Sequence, residues 1–266
     1  MLDSFNRSIY YLRISVTDKC NLRCTYCMGE EGVSLLPHSR LLSFEQTARI
    51  VEAATGLGFW KFRITGGEPL VRRGVVTLVQ MIRKIRGVEH LGMTTNGILL
   101  SQFASPLKAA GLDSLNISID TLDPVRYHRI TRWGKLSDAI AGVDAAVRAG
   151  FDRIKINMVV GDDTGEDEVA EMEGFCRERG LSLQRIRHYS LLAPKIDEPV
   201  YERPPRCGSC NRIRLTHDGY LKSCLHSDEE IPVDFSDITA SLEKTIQGKP
   251  LQGYTCTNRD MQSIGG

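Results

Sequence analysis

The sequence has little that would tie it to a membrane, a secretory route or a nucleic acid. No apolar run approaches the ~18 residues of a spanning helix. The N-terminal stretch MLDSFNRSIYY has no apolar signal-peptide core, and we expect a cytoplasmic protein. Charge of one sign is also missing: 34 Lys and Arg against 33 Asp and Glu leave +1 over 266 residues. That balance gives no reason to expect nucleic-acid or membrane binding, so any anion site must come from local clustering. There is no low-complexity tract and no repeat of fixed period. What the chain does carry is eight cysteines. In a cytoplasmic setting a disulfide framework is disfavoured, and metal or redox roles gain weight.

The organisation is that of an α/β protein. β-branched runs at 11–16, 61–65, 91–95, 114–119, 153–160 and 183–187 alternate with amphipathic segments. One helix begins at Ser43, with Gln46 placed to complete a capping box and Gly56 or Gly58 to end it; others are expected near 75–86, 101–110, 123–131, 136–149 and 166–179. Six βα units predict a parallel sheet, too few for a closed eight-fold barrel, and hence a partial (β/α)6 barrel open at one side. After about 190 the pattern changes. A proline-rich stretch leads to CGSCNRIRLTHDGYLKSC, two short strands around a His217-Asp218-Gly219 turn, then a short helix near 235–246. We therefore divide the chain into 1–190, the barrel, and 191–266, a small C-terminal region.

Cys20, Cys24 and Cys27 follow the first strand, at the end where βα loops build active sites. Their C-x3-C-x2-C spacing suits three irons of one [4Fe–4S] cluster and leaves the fourth iron without a nearby protein ligand; a zinc loop borrowing a distant ligand is the alternative. TGGEP, Thr65–Pro69, follows the second strand. Cys207, Cys210 and Cys224 form another trio. With His226 two residues beyond and His217 in the turn, a Cys3His zinc knuckle is chemically reasonable there. Arg212 and Arg214 share one face of the adjoining strand, an arrangement that suits phosphate or carboxylate.

CNLRCTYC resembles the signature of the radical SAM superfamily. Together with KFRITGGEPLVRR, GMTTNGILL, LNISIDTLD, CGSCNRIRLTHDGYLKSCL and the terminal IGG, the chain resembles the GTP 3′,8-cyclase family along nearly its whole length. The resemblance implies two [4Fe–4S] clusters, S-adenosylmethionine (SAM) on the open iron of the first, and GTP meeting the second. It implies abstraction of the C3′ hydrogen of GTP by a 5′-deoxyadenosyl radical and ring closure on C8. The product would be 3′,8-cyclo-7,8-dihydro-GTP, a molybdenum cofactor precursor that a cyclic pyranopterin monophosphate synthase consumes. An electron donor is also implied; a homodimer is left open. Carried onto this sequence, Tyr26, Gly66, Gly67, Glu68, Ser118 and Ser190 would serve SAM. Arg13, Lys61, Arg63, Thr94, Lys155, Arg185, Arg212 and Arg214 would serve GTP, with Arg13 also counted as catalytic beside Cys20, Cys24 and Cys27. Gly265-Gly266 resembles a family tail that reaches into the active site.

The chain departs from the family pattern between Arg187 and Cys207, where it is short. HYSLL, 188–192, stands in place of an EFM-like stretch, with Ser190 where a methionine commonly contacts SAM. Two rivals follow: a related radical SAM enzyme acting on another substrate such as a peptide, and a non-enzymatic zinc or cluster scaffold. Cys176 is expected in helix packing; Cys256 has no expected role.

Overall fold

The computed structural model describes residues 1–33, 35–197, 201 and 206–264. The terminal Gly265-Gly266 pair lies outside them. Nine strands form one sheet: β1 Tyr11–Ser15, β2 Lys61–Thr65, β3 His90–Thr95, β4 Ser114–Ser118, β5 Ile154–Val160, β6 Ser182–Arg187, β7 Arg212–Leu215, β8 Tyr220–Lys222 and β9 Ile231–Pro232. Their spatial order is β6-β5-β4-β3-β2-β1-β7-β8-β9. β1 to β6 pair in parallel in chain order. The helices are α1 Phe44–Gly56, α2 Val75–Arg83, α3 Leu100–Ala109, α4 Pro124–Thr131, α5 Leu136–Arg148, α6 Glu166–Glu178 and α7 Ile238–Gln247. The expected six-unit αβ alternation is thus present, as a partial barrel. No helix among the described residues is long and apolar enough to cross a membrane.

Local sequence explains the element ends. Ser43 accepts from the Gln46 amide, while the Gln46 side chain accepts from the Ser43 amide, a complete capping box for α1. Asp123 caps α4 ahead of Pro124, whose missing N–H costs nothing in a first turn. The main core lies between the sheet and its helices. Leu12, Ile14, Phe62, Ile64, Leu91, Met93, Leu115 and Ile117 all contribute to it and are essentially inaccessible. Because side chains alternate along a strand, the residues between them form the inner wall of the barrel.

Past β6 the chain returns to the opposite edge of the sheet. β7 pairs in parallel with β1, Tyr11 against Arg212 and Arg13 against Arg214; β8 and β9 then add antiparallel. The C-terminal region therefore extends the barrel sheet, next to its first strand. Cys176 lies in the main core, and Cys256 is inaccessible beside Leu191 and Ile264.

Candidate active site

The inner wall is mostly polar, with Val159 and Ile186 as apolar positions on β5 and β6. Register fixes its rows: His90, Lys61, Tyr11 and Arg212 in one, and Gly92, Arg63, Arg13 and Arg214 in the next. Further round come Ser114, Asn116 and Ser118 of β4, paired to Gly92, Thr94 and Asn157 respectively, and Lys155 of β5, paired to Asn116. No strand position on this wall holds a carboxylate. Five cations, Lys61, Arg63, Arg13, Arg212 and Arg214, thus line three adjacent strands.

Tyr11 organises them. Its hydroxyl accepts from Arg63 Nε at 3.0 Å, and its ring faces Lys61 Nζ at 5.2 Å and the Arg212 guanidinium at 5.1 Å, both within cation–π reach. Arg63 also donates to the Met93 carbonyl at 2.8 Å and to the Ser114 hydroxyl at 3.2 Å, all neutral acceptors. It crosses β3 at Gly92, where a Cβ would come within 2.6 Å of its Nη2. Burial, then Arg63 and Lys61, push the His90 imidazole down to about 4, so this histidine adds no charge at neutral pH. Burial also lowers the Arg214 pKa. Arg212 Nε and Nη1 are buried without a hydrogen-bond partner among the described residues. Tyr11 was not singled out by sequence reading; its parity with Arg13 in YLRIS was the available signal.

The first cysteine trio sits at the C-terminal ends of the strands. Cys20, Cys24 and Cys27 line one cleft of about 1060 Å³ with Tyr26, Gly66, Gly67, Glu68, Thr94, Asn96 and Ser118. The loop that carries them hangs on the end of α4: the Arg23 and Thr25 amides donate to the Thr131 and Ile130 carbonyls, and Arg132 Nη1 donates to the Arg23 and Met28 carbonyls. TGGEP docks on that loop. The Gly67 amide donates to the Thr17 carbonyl at 2.8 Å, the Glu68 amide to the Lys19 carbonyl at 2.8 Å, and a Cβ on Gly67 would lie 2.3 Å from the Lys19 oxygen.

Glu68 is buried and accepts from the Thr95 hydroxyl and from the Asn96 and Leu70 amides. Burial raises its carboxyl to about 7. The Tyr26 hydroxyl donates to Asp120 at 2.7 Å, and the Val159 amide donates to the other Asp120 oxygen at 2.8 Å. Asp120, Asn96 and His188 complete this rim and were not picked out from sequence.

The second trio surrounds a different cavity, at the end of the barrel where β7 begins, with Arg7, Arg212, Arg214, His226 and Lys249 in its wall. The cation wall therefore runs between the two cysteine sets. Both ring nitrogens of His226 are buried without a partner among the described residues. His217 Nδ1 lies 3.2 Å from the Ser263 carbonyl, and Arg214 Nη1 donates to the Ile264 carbonyl at 3.1 Å, so the tail preceding the final glycines reaches the barrel wall. Met261 and Gln262 reach the first cleft.

Two expected contacts fall elsewhere. Arg185 pairs with Met158, on the face opposite the inner wall; Gln184, paired with Asn157, is the buried inward residue of β6. A one-residue difference in register reverses the face of a strand side chain. Ser190 is exposed, accepts from the Leu192 amide, and lies outside the first cleft, which Arg187, His188 and Tyr189 line instead. Lys155 is inward by register yet exposed, because the barrel is open there.

Each trio brings three thiols to the wall of one cavity, a donor set of the kind an iron–sulfur cluster takes. Burial, and then the nearness of the other cysteines and Asp120, push the Cys24 thiol well up; the same causes bring Cys27 to about 12. Thiols so placed ionise when a cationic core takes them as ligands. Among the described residues, no three His, Cys, Asp or Glu side chains are arranged around a single metal ion. Burial raises the Cys224 thiol while Lys249 pulls it down.

Comparison with known proteins agrees with this geometry. Residues 14–176 match the model of the Radical SAM superfamily. The GTP 3′,8-cyclase of Heliobacterium modesticaldum is 38% identical over 327 aligned positions that span 100% of both chains. That of Alkaliphilus metalliredigens is 39% identical over 320 positions, again with 100% of both covered. Those alignments are longer than the 266 residues of this chain, so the relatives carry segments that it lacks. Among solved structures, SuiB of Streptococcus suis bound to S-adenosylmethionine superposes with a TM-score of 0.69 at 14% identity, covering 93% of this chain and 66% of that one. anSMEcpe with bound AdoMet gives 0.53 at 20% identity, covering 72% and 55%. At these identities the likeness is one of fold.

Proposed function

The chain belongs to the GTP 3′,8-cyclase family of the radical SAM superfamily, and on that premise we propose that it converts GTP to 3′,8-cyclo-7,8-dihydro-GTP for molybdenum cofactor biosynthesis. One observation carries the choice of substrate: a barrel wall with five clustered cations and no carboxylate, in a chain whose net charge is only +1. A cation-rich wall whose strand positions carry no carboxylate suits an anionic ligand, and guanidiniums suit a triphosphate. A peptide has no general need of it.

Cys20, Cys24 and Cys27 would hold the first [4Fe–4S] cluster. Bound there with SAM, the cluster would supply the 5′-deoxyadenosyl radical for C3′ hydrogen abstraction. SAM carries a sulfonium and an ammonium, and the buried Glu68 and Asp120 carboxylates beside this cleft suit a cationic cofactor. Gly67 lets the Glu68 loop close on the cysteine loop, Tyr26 is held in place by Asp120, and Ser118 faces the cleft. Arg63, Arg13, Arg214, Lys61 and Arg212 would bind and orient the triphosphate, with Thr94 and Lys155 across the barrel. Cys207, Cys210 and Cys224, in the 191–266 region, would hold the second cluster next to the guanine. An external electron donor and a cyclic pyranopterin monophosphate synthase complete the reaction sequence, in a cytoplasmic enzyme.

The test is anaerobic. A reconstituted chain should hold roughly eight irons if each trio binds one [4Fe–4S] cluster. With SAM and dithionite it should turn GTP into the cyclised product. If 5′-deoxyadenosine forms without that product, the substrate assignment is wrong. If one trio takes up no iron, the two-cluster reading is wrong.

A further inference from the structure

Three cations besides the inner-wall arginines border the second cysteine trio: Arg7, Lys195 and Lys249. Two have their charge matched. Arg7 Nε pairs with Asp3 at 2.6 Å while its Nη1 donates to the Cys207 carbonyl at 2.9 Å. Lys195 pairs with Asp197, whose other oxygen accepts from the Cys207 amide at 2.9 Å. Lys249 differs. It is 3% exposed, and among the described residues its ammonium donates only to the carbonyls of Arg212, at 2.9 Å, and Ser223, at 2.6 Å. No carboxylate pairs with it among the described residues.

Its position is specific. Arg212 opens β7 two residues after Cys210, and Ser223 precedes Cys224 at the end of β8. One ammonium thus ties together the two strand ends that carry two of the three thiols. A buried, uncompensated ammonium is costly unless an anion lies beside it. Three thiolates around an iron–sulfur core supply net negative charge at that place, and nearby positive charge favours the reduced form of such a core.

We propose that Lys249 is a positioning residue for the second cluster: it joins the β7 and β8 ends that present Cys210 and Cys224, and its uncompensated charge raises the cluster's reduction potential. The inference rests on the reading that this trio holds a cluster. The experiment uses the full chain with Cys20, Cys24 and Cys27 replaced by alanine, so that only the second cluster is seen. Iron is counted and the midpoint potential is followed by electron paramagnetic resonance. If this background takes up no iron at all, the cluster reading fails and the inference falls with it.

Given iron in that background, Lys249→Gln keeps two N–H donors without the charge, Lys249→Met removes both, and Lys249→Arg keeps the charge. The neutral variants should titrate at a more negative potential, and the arginine variant near the unaltered protein. Loss of the cluster in both neutral variants but not in Lys249→Arg also supports the charge requirement. An unaltered potential in either neutral variant overturns the proposal. So does an equal shift, or equal loss of iron, in Lys249→Arg, because side-chain packing rather than charge would then decide.

Discussion

Replacing Arg212 by methionine should separate binding from stability. In the ligand-free chain two guanidinium nitrogens of Arg212 are buried without a partner among the described residues. Leaving such donors unsatisfied costs about 1–3 kcal/mol. Against this stands the cation–π contact with the Tyr11 ring at 5.1 Å, which contributes about 0.5–2 kcal/mol. Methionine retains most of the aliphatic contact. The iron-free Arg212→Met chain should therefore lie between about 1 kcal/mol less and about 2.5 kcal/mol more stable than the unaltered one, within a few degrees of melting temperature. GTP binding should fall by more than any change in stability. Losing one partner of a buried charged pair costs about 2–5 kcal/mol, a weakening of about 30-fold to several-thousand-fold. The assays are calorimetric melting of the iron-free chain and anaerobic GTP titration of the reconstituted one. Cleavage of SAM without substrate should be unaffected. A variant that melts several degrees lower and still binds GTP with unchanged affinity would refute the reasoning, since Arg212 would then be a structural residue.

Gly67→Ala puts a methyl 2.3 Å from the backbone oxygen of Lys19, where no flexible side chain can give way. The GGE loop must part from the cysteine loop, and SAM binding, measured by equilibrium dialysis, should fall at least about tenfold if even one hydrogen bond to a charged group is misplaced. Gly92→Ala meets Arg63 Nη2 at 2.6 Å and Ser114 Oγ at 2.7 Å, both side-chain ends that can move. The fold should survive while GTP affinity drops about tenfold, with SAM binding unchanged. Glu68 gives a pH signature. Burial raises its carboxyl from an ordinary 4.5 to about 7, so the folded chain holds this proton more tightly than the unfolded one. Its contribution is full below pH 4.5 and is lost as pH rises to 7, roughly 3 kcal/mol in all. Urea unfolding of the iron-free chain across that range should show this decline, and Glu68→Gln should flatten it; equal slopes in the two would refute the assignment.

Much of the fold is legible because the barrel strands are two-faced. In YLRIS the core takes Leu12 and Ile14 while Tyr11, Arg13 and Ser15 face inward, and KFRIT repeats the arrangement. Alternation of that kind marks a strand, and the capping box at Ser43 marks a helix start, with no help from distant residues. Less legible is anything that depends on a partner strand. RIRL at 212–215 reads as half of a hairpin; nothing local says that its other edge joins Tyr11–Ile14 in parallel. The same gap explains Arg185. QRIR puts Arg185 and Arg187 at one parity and Gln184 and Ile186 at the other, and only the pairing of Asn157 with Gln184 decides which set turns inward. Asp120 and Tyr11 were passed over because their roles lie in what they hold, Tyr26 in one case and Arg63 in the other.

The near-neutral composition conceals a separation of charge that the proposed chemistry requires. Averaged over the chain, acids and bases cancel to +1. Along the strands of the barrel wall they do not mix. Carboxylates, Glu68 and Asp120, are buried beside the first cysteine cleft at the strand C-termini, while the cations occupy the first and third positions of β2 and β7 and the third of β1 between them, toward the second trio. A cationic cofactor and an anionic substrate placed in one open barrel would each be pulled toward the other's groups if the charges were interleaved. At an interior dielectric such attractions are several times stronger than in water. On the proposed function, segregation would orient the two ligands before any specific contact forms, with the sulfonium end toward Glu68 and the triphosphate toward Arg63, Arg13 and Arg214. The uncompensated Lys249 extends the positive half as far as the second cysteine set. A charge reversal at one end, Glu68→Lys, should therefore do more than weaken SAM: GTP should bind in competition with it, and competitive rather than independent titration of the two ligands is the measurement that checks this.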